Sequence, residues 1–267
     1  MMRVFVEGIG LCGPGLDGWA AAAPVLRGQA DYIPAPANPA PSALLPANER
    51  RRAPKMVKLA LAVGAEAFAA AGRDPATTPA IFASSGGDGE TIHDILATLA
   101  APQRDLSPTK FHNSVHNAAA GYWSIATGAM APSTSLCAYD DSFAAGLLEA
   151  VAQVVSCGEA VALIAYDVPY PEPLLLVRPI GAIFGAALVL SPVPTQASFA
   201  RLEITLKPAP AAPTQTMPAL EDMRRATPAA RALPLLAALA CGGPAQVALA
   251  YLGDMALHIA VLPGAAP

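Results

Sequence analysis

Charge is scarce in this sequence. Asp, Glu, Lys and Arg together make up 13% of its 267 residues, against 54% hydrophobic residues. So thin a polar coat implies that part of the surface is covered by a partner. Basic clusters are equally rare: none exceeds Arg50-Arg51-Arg52, and the net charge is −4, which argues against a nucleic-acid ligand. Cys12, Cys137, Cys157 and Cys241 are scattered, with no C-x-x-C pair. Neither a disulfide framework nor a zinc site is indicated, and a reducing cytoplasm is expected. Up to Glu7 no cationic region precedes an apolar run, so no signal peptide is expected. The uncharged run 232–252 is broken by Pro234, Gly242, Gly243 and Pro244, and reads as a helix plus a strand rather than a membrane span. The G-x-S-x-G elbow of Ser-His-Asp hydrolases is missing, since Ser84, Ser85 and Ser142 stand in other contexts.

Residues 3–7 alternate apolar and polar and open the chain as a strand, followed by a short helix over 16–27. Five prolines between Tyr32 and Ala47 mark a surface excursion. From Lys55 to Ala71 the only charged residues are Lys55, Lys58 and Glu66, on one narrow face, so this helix is buried nearly all round. A strand at 79–83 ends in the Ser84–Gly87 turn, a helix covers 91–100, and a loop runs to Phe111. A small-residue helix over 116–127, a strand over 133–139 and a helix over 143–156 follow, then apolar strands at 161–166 and 182–190. The alternation predicts an α/β sandwich with helices sealed between layers. The remainder reads as a strand at 200–207, a Pro/Ala-rich linker at 208–218 and a helix at 228–240 with Thr227 as its N-cap. A hairpin, 246–251 with 256–262, turns at Gly253-Asp254.

Gly8-x-Gly10-x-x-Gly13 follows a strand, but Pro14-Gly15 and a proline-rich stretch replace the helix and acidic residue of a dinucleotide site. A glycine-lined tight turn is the simpler expectation, and no cofactor is implied. His112 and His116 have a helical metal-ligand spacing, but no third ligand of matching spacing accompanies them. Asp140-Asp141-Ser142, at the start of the 143–156 helix, has the chemistry of an N-cap.

Several separated segments resemble β-ketoacyl synthases: residues 3–28 their opening strand and turn, IFASSGGDGETI their second strand with its glycine turn, and NSVHNAAAGYWSIATGAMAPSTSLCAY the helix and strand leading to the nucleophile. GAIFGAALVLSP resembles the hairpin closing the first half of that fold. The resemblance implies a thiolase-like αβαβα sandwich with residues 1–192 as the synthase-like half and 193–267 as an abbreviated second half, packed as one unit.

Aligning Asn117, Gly121 and Ala150 with the family places Asp140 where the nucleophilic cysteine stands. Cys137 is expected three residues upstream within the strand. The family's two histidines and lysine come from the missing part of the second half. Among synthase relatives the chain is similar to the short chain length factors of aryl polyene clusters, which have comparable length and the segment STSLCAYDDSFAAGLLEA. That resemblance implies a non-catalytic subunit paired with a full-length β-ketoacyl-ACP synthase, meeting acyl carrier protein through the complex and shaping the acyl tunnel. Residues 133–139, with Ser135, Cys137 and Tyr139, would pair across the pseudo-twofold. Residues 108–123, with Phe111, His112, Asn113, His116, Asn117, Tyr122 and Trp123, would face the tunnel, and Ala118–Ala120 would permit close approach. An ordinary core role for the aromatics stays open. So does a decarboxylase or hydrolase using Asp140 with His112 or His116, and a self-associating structural subunit.

Overall fold

The computed structural model describes residues 1–39, 43–210 and 215–264. In chain order its strands and helices are β1 (Met2–Gly13), β2 (Leu16–Asp17), α1 (Trp19–Leu26), α2 (Ala47–Arg52), α3 (Lys55–Ala71), β3 (Ala80–Ala83), α4 (Gly89–Ala100), α5 (Pro108–Asn113), α6 (Ala118–Thr127) and β4 (Ser133–Leu136). After a 3₁₀ turn at Tyr139–Asp141 come α7 (Ser142–Cys157), β5 (Val161–Asp167), α8 (Leu174–Val177), β6 (Phe184–Ser191), β7 (Ala200–Pro208) and α9 (Pro218–Ala226). A second 3₁₀ segment (Pro228–Ala232), α10 (Leu233–Cys241), β8 (Ala245–Tyr251) and β9 (Met255–Pro263) end the described chain.

Among the described residues the strands form one nine-stranded sheet ordered β4-β3-β5-β6-β1-β7-β9-β8, with β2 paired to β1. β4, β3 and β5 run parallel, whereas β6 is antiparallel to both its neighbours, β5 and β1. β5 and β6 are buried at every residue, as continuous β-branched and aliphatic runs require when both faces of a sheet are covered. On one face α3 and α6 pack against Phe82, Ile164 and Val189. On the other, α7, α10 and the Pro228–Ala232 segment pack against Ile81, Leu163 and Leu188. α7 touches β1, β3, β5 and β6 as well as β8, so it is enclosed between those strands and the C-terminal hairpin. β7, β9 and β8 continue the sheet beyond β1, and β8 with the Pro228–Ala232 segment covers α7.

The glycines after the first strand residues have a structural use, and it is not a tight turn. Gly8 and Gly10 lie within β1, where an added Cβ would fall 2.1 Å from the Ala67 carbonyl oxygen and 1.9 Å from that of Val63. They let α3 lie directly on the strand. The charged face of α3 is also put to work: Glu66 accepts hydrogen bonds from the backbone N–H groups of Leu11 (2.9 Å) and Trp19 (2.6 Å). It thereby holds the first turn of α1, which has no side-chain cap of its own.

Most expected elements stand, with several corrections. Of the helix expected over 16–27, Leu16–Asp17 pair with β1 as β2 and α1 begins only at Trp19. The strand expected over 133–139 stops at Leu136, so Cys137 lies beyond it. The loop before Phe111 holds α5, and α8 and α9 form where only connections were expected. Thr227 does occupy the N-cap position, but its hydroxyl makes no capping bond and lies buried without a partner. Its carbonyl accepts from Ala230 N–H instead. The proline-rich stretch has no regular structure over 31–39, its residues 40–42 lie outside the described residues, and α2 begins at Ala47. Of the Pro/Ala-rich linker, residues 211–214 lie outside the described residues; the hairpin at 253–254 is formed as read.

Candidate functional site at the strand-to-helix elbow

β4 leads through Cys137 and Ala138 into Tyr139, whose backbone turns left-handed at φ 52°, and then into α7. A tyrosine rarely adopts that conformation, and surrounding contacts must hold it there. Ser142 does so: its Oγ accepts the Ala138 N–H at 3.0 Å and donates to the Tyr139 carbonyl at 2.7 Å. The result is the abrupt elbow that places residue 140 at the mouth of a buried helix.

What occupies the elbow is a four-charge cluster. Arg178 Nη1 donates to Asp140 Oδ1 at 2.6 Å, and Arg231 Nη2 to Asp140 Oδ2 at 3.0 Å. Arg231 Nη1 donates to Asp141 Oδ1 at 2.7 Å, and Asp141 Oδ2 accepts the Leu252 N–H at 3.0 Å. The Arg178 guanidinium also lies over the Tyr139 ring, 3.6 Å from its centroid. Asp141 holds the N-cap position of α7, but no side chain caps that helix, so the expected N-cap role of the acidic pair is not realised. Both carboxylates face arginines instead. The cavity beside Asp141, lined by Phe143, Arg224, Arg231 and Leu249, has a volume of about 30 Å³, room for roughly one water.

Behind the elbow, Asp167 at the end of β5 is fully buried and gathers the Ser84–Gly87 turn. Its Oδ1 accepts Ser85 N–H (2.9 Å), Ser85 Oγ (2.7 Å) and Ser84 Oγ (3.4 Å), and its Oδ2 accepts Ala229 N–H (2.8 Å). Burial pushes its pKa up to about 6, against the pull of those donors and of Arg178. His116 Nε2 rests 3.3 Å from the Ser84 carbonyl, and Cys137 Sγ donates to the Ser85 carbonyl at 3.1 Å. His112 packs edge-on to Tyr122, with ring centroids 6.1 Å apart. His112 lies in the last turn of α5 while His116 lies beyond its end, so the two share no helical face. Among the described residues no hydrogen bond joins either to Asp140, and no group of His, Cys, Asp or Glu is placed to hold a metal.

The remaining sequence-derived candidates divide sharply. Phe111 is 66% exposed, His112 and Asn117 are exposed, and Tyr139 is 60% exposed. Tyr122 and Trp123 are fully buried in this chain's own core, Trp123 against Phe68 and Phe82, where Gly64 clears space for its ring. Asn113 is buried too, donating to the Arg52 carbonyl and accepting from Tyr122 Oη. Ala118, Ala119 and Ala120 are likewise buried, α6 packing on α3, so their small size serves contact within the chain.

Ser135 has a different setting. Ala80 N–H bonds the Pro132 carbonyl and Ser84 N–H the Leu136 carbonyl. By strand alternation residues 132, 134 and 136 therefore bond to β3, and the backbone groups of Ser133 and Ser135 face the open edge of the sheet. Met130 just before β4, Tyr139 just after it and Ile125 in α6, which packs on β4, are exposed, as are Phe111 and Val115 further back in the chain.

Arg178 and Arg231 were not expected from sequence. The available signal was a lone arginine in each of two apolar runs, LLLVRPIG and PAARALP, since a charge in such surroundings needs a counter-charge.

Comparison with known proteins agrees with this architecture. A chain of the ketosynthase ApeO in complex with its chain length factor ApeC from Xenorhabdus doucetiae superposes with a TM-score of 0.75 at 19% identity, covering 97% of this chain and 100% of that one. The ishigamide ketosynthase/chain length factor gives 0.71 at 13% identity, over 99% and 100%. The AntDE:AntF assembly, a type II polyketide synthase acyl-carrier protein in complex with its ketosynthase bound to the hexaketide, gives 0.71 at 14% identity, over 98% and 99%. At such identities the likeness establishes the fold, the thiolase-like sandwich of ketosynthases. No curated protein matches the sequence. The sequence itself matches the β-ketoacyl synthase N-terminal domain over residues 25–242, and the chain therefore belongs to the β-ketoacyl synthase N-terminal domain family.

Proposed function

We propose that this chain is a non-catalytic chain length factor that pairs with an active β-ketoacyl-ACP synthase and shapes the acyl tunnel during aryl polyene or polyketide/fatty-acid-like chain elongation. The observation that carries the reading is the elbow. Where the family holds its nucleophile stands a carboxylate with both oxygens bound to guanidinium groups, beside a cavity of about 30 Å³. A carboxylate so paired is neither a thiolate nucleophile nor a free general base. The open edge of β4 and the exposed apolar side chains around it support pairing with a second ketosynthase-fold subunit, whose own edge strand would continue the sheet. The structural relatives described as ketosynthase–chain length factor complexes support the same choice of partner. Residues 1–192 then form the synthase-like half and 193–267 the reduced half, acyl carrier protein is met through the complex, and four unpaired cysteines support a cytoplasmic setting. No helix among the described residues is long and apolar enough to cross a membrane.

The test is co-expression with a full-length ketosynthase from a matching gene neighbourhood, with size exclusion and product analysis. We expect co-elution, product only from the complex, and loss of co-elution in Ser135→Pro, which deletes an outward N–H without breaking a bond to β3. Turnover by the isolated chain, abolished in Asp140→Asn, would overturn the reading.

A further inference from the structure

We infer that Tyr139 is the anchor by which this chain grips its partner subunit, and that Arg178, held by Asp140, is the group that positions it. The inference rests on the pairing proposed above and names the residue on which that interface turns.

Three observations converge. First, Tyr139 is kept in a left-handed conformation by a dedicated bracket, the two Ser142 Oγ hydrogen bonds. Such strain persists where the surroundings over-determine it, and it clusters at functional positions. Second, that bracket presents a ring that is 60% exposed and so contributes little to the interior. A glycine would complete the elbow without that strain. Third, the ring is not free to swing. The Arg178 guanidinium lies 3.6 Å from its centroid, and the Arg178 side chain is itself only 14% exposed, fixed at Nη1 by Asp140. An exposed aromatic immobilised before binding has paid its ordering entropy in advance, and tyrosine is enriched among residues that dominate interfaces.

The occupant follows from position. Tyr139 lies three residues past Leu136, the last residue of β4, whose outward backbone groups at Ser133 and Ser135 call for another strand. Whatever strand continues the sheet brings its own subunit against Tyr139. Leu176 and Val177, 73% and 76% exposed, immediately precede Arg178 in the chain. The matching partner surface is an apolar recess for the ring with an acceptor for its hydroxyl, on the subunit that pairs with β4. Arg178 is a positioning residue here, and Asp140 acts through it.

The test measures the dissociation constant of the complex between this full chain and the ketosynthase, together with the melting temperature of each variant alone. Tyr139→Gly relieves the left-handed backbone, so we expect it to melt no lower than the wild type while pairing about tenfold or more weakly. Tyr139→Phe should pair nearly as the wild type does. Arg178→Gln should weaken pairing, and its effect should vanish in a Tyr139→Gly background, because a positioning group has nothing left to position. If Ser135→Pro disrupts the complex while Tyr139→Gly leaves its affinity unchanged, this inference is wrong and the pairing reading survives. If the wild-type chain does not pair with the ketosynthase, both fall.

Discussion

Replacing Asp140 by asparagine separates two physical accounts of the elbow. Were Asp140 a helix cap, asparagine would serve almost equally and the cost would be near zero. In the structure its carboxylate instead joins Arg178 and Arg231 at 2.6 and 3.0 Å. The side chain is 37% exposed, so solvent screens part of the attraction, while the arginines are only 14% and 25% exposed. Hydrogen bonds to charged groups contribute about 1.5–3 kcal/mol when sheltered, and exposed ion pairs about 0–1. Asparagine keeps one acceptor oxygen, and Arg231 keeps Asp141. We therefore expect Asp140→Asn to cost roughly 1–2 kcal/mol, a drop of roughly 2–8 °C in melting temperature for a chain of this size.

The assay is thermal unfolding of the wild type, Asp140→Asn, Arg178→Gln and the double variant. A coupling of about 1 kcal/mol is expected from the cycle. The wild-type advantage should shrink near 1 M salt, where the screening length falls to about 3 Å. Identical melting temperatures with no coupling would refute the clamp and restore the cap.

Gly10→Ala should abolish soluble folding or cost more than the ~1–3 kcal/mol of ordinary overpacking, because the new Cβ meets the Val63 backbone at 1.9 Å rather than a movable side chain; expression and melting read this out. Trp123→Ala should lose about 3–5 kcal/mol, and Tyr122→Phe about 1 kcal/mol through its bond to Asn113. Phe111→Ala, at a 66% exposed position, should stay within about 0.5 kcal/mol of wild type while altering pairing or product length. Asp167 binds its proton more tightly folded (about 6) than its ordinary value of 3.8. Its contribution to stability is therefore full below the lower value and declines as pH rises through the higher one. The melting-temperature advantage of wild type over Asp167→Asn should accordingly grow from pH 7 to pH 4, and a flat difference would contradict the raised pKa.

Elements with strong period or composition were legible in sequence: α3 from its nearly charge-free face, β5 and β6 from their aliphatic runs, and the C-terminal hairpin from Gly253-Asp254. Short helices were not. α8 is only Leu174–Val177 and α9 is flanked by linker-like residues, so neither carries enough turns to impose a 3.6-residue period. The glycines at 8 and 10 read as a tight turn because the helix they admit, α3, lies more than 50 residues away, and Gly13 faces Phe184, farther still. The abrupt turn before α7 was legible in sequence, whereas the pairing of Asp140 was not. Its counter-charges come from residues 178 and 231, a pairing set by tertiary packing with no local signature. Tyr122 and Trp123 left two roles open for a related reason: aromatic bulk in a helix reads the same whether it floors a tunnel or fills a core.

The acidic elbow and the C-terminal elements are physically linked. Arg231 belongs to the Pro228–Ala232 segment, and Leu252, whose N–H Asp141 accepts, sits in the turn of the C-terminal hairpin. The elbow carboxylates thus fasten these C-terminal elements against the start of α7. A cysteine cannot do this work, since a neutral thiol is a weak acceptor and offers one atom where two guanidiniums converge. Asp140→Cys should therefore lose more stability than Asp140→Asn, because Arg178 is left without an anionic partner at a mostly buried position. It should also gain no condensing activity, since a thiol alone brings neither base nor oxyanion donors. Melting and carrier-protein-dependent condensation measured on that one variant decide the matter. A stable, active Asp140→Cys protein would mean that the clamp is incidental and that the chemistry was lost by a single side chain.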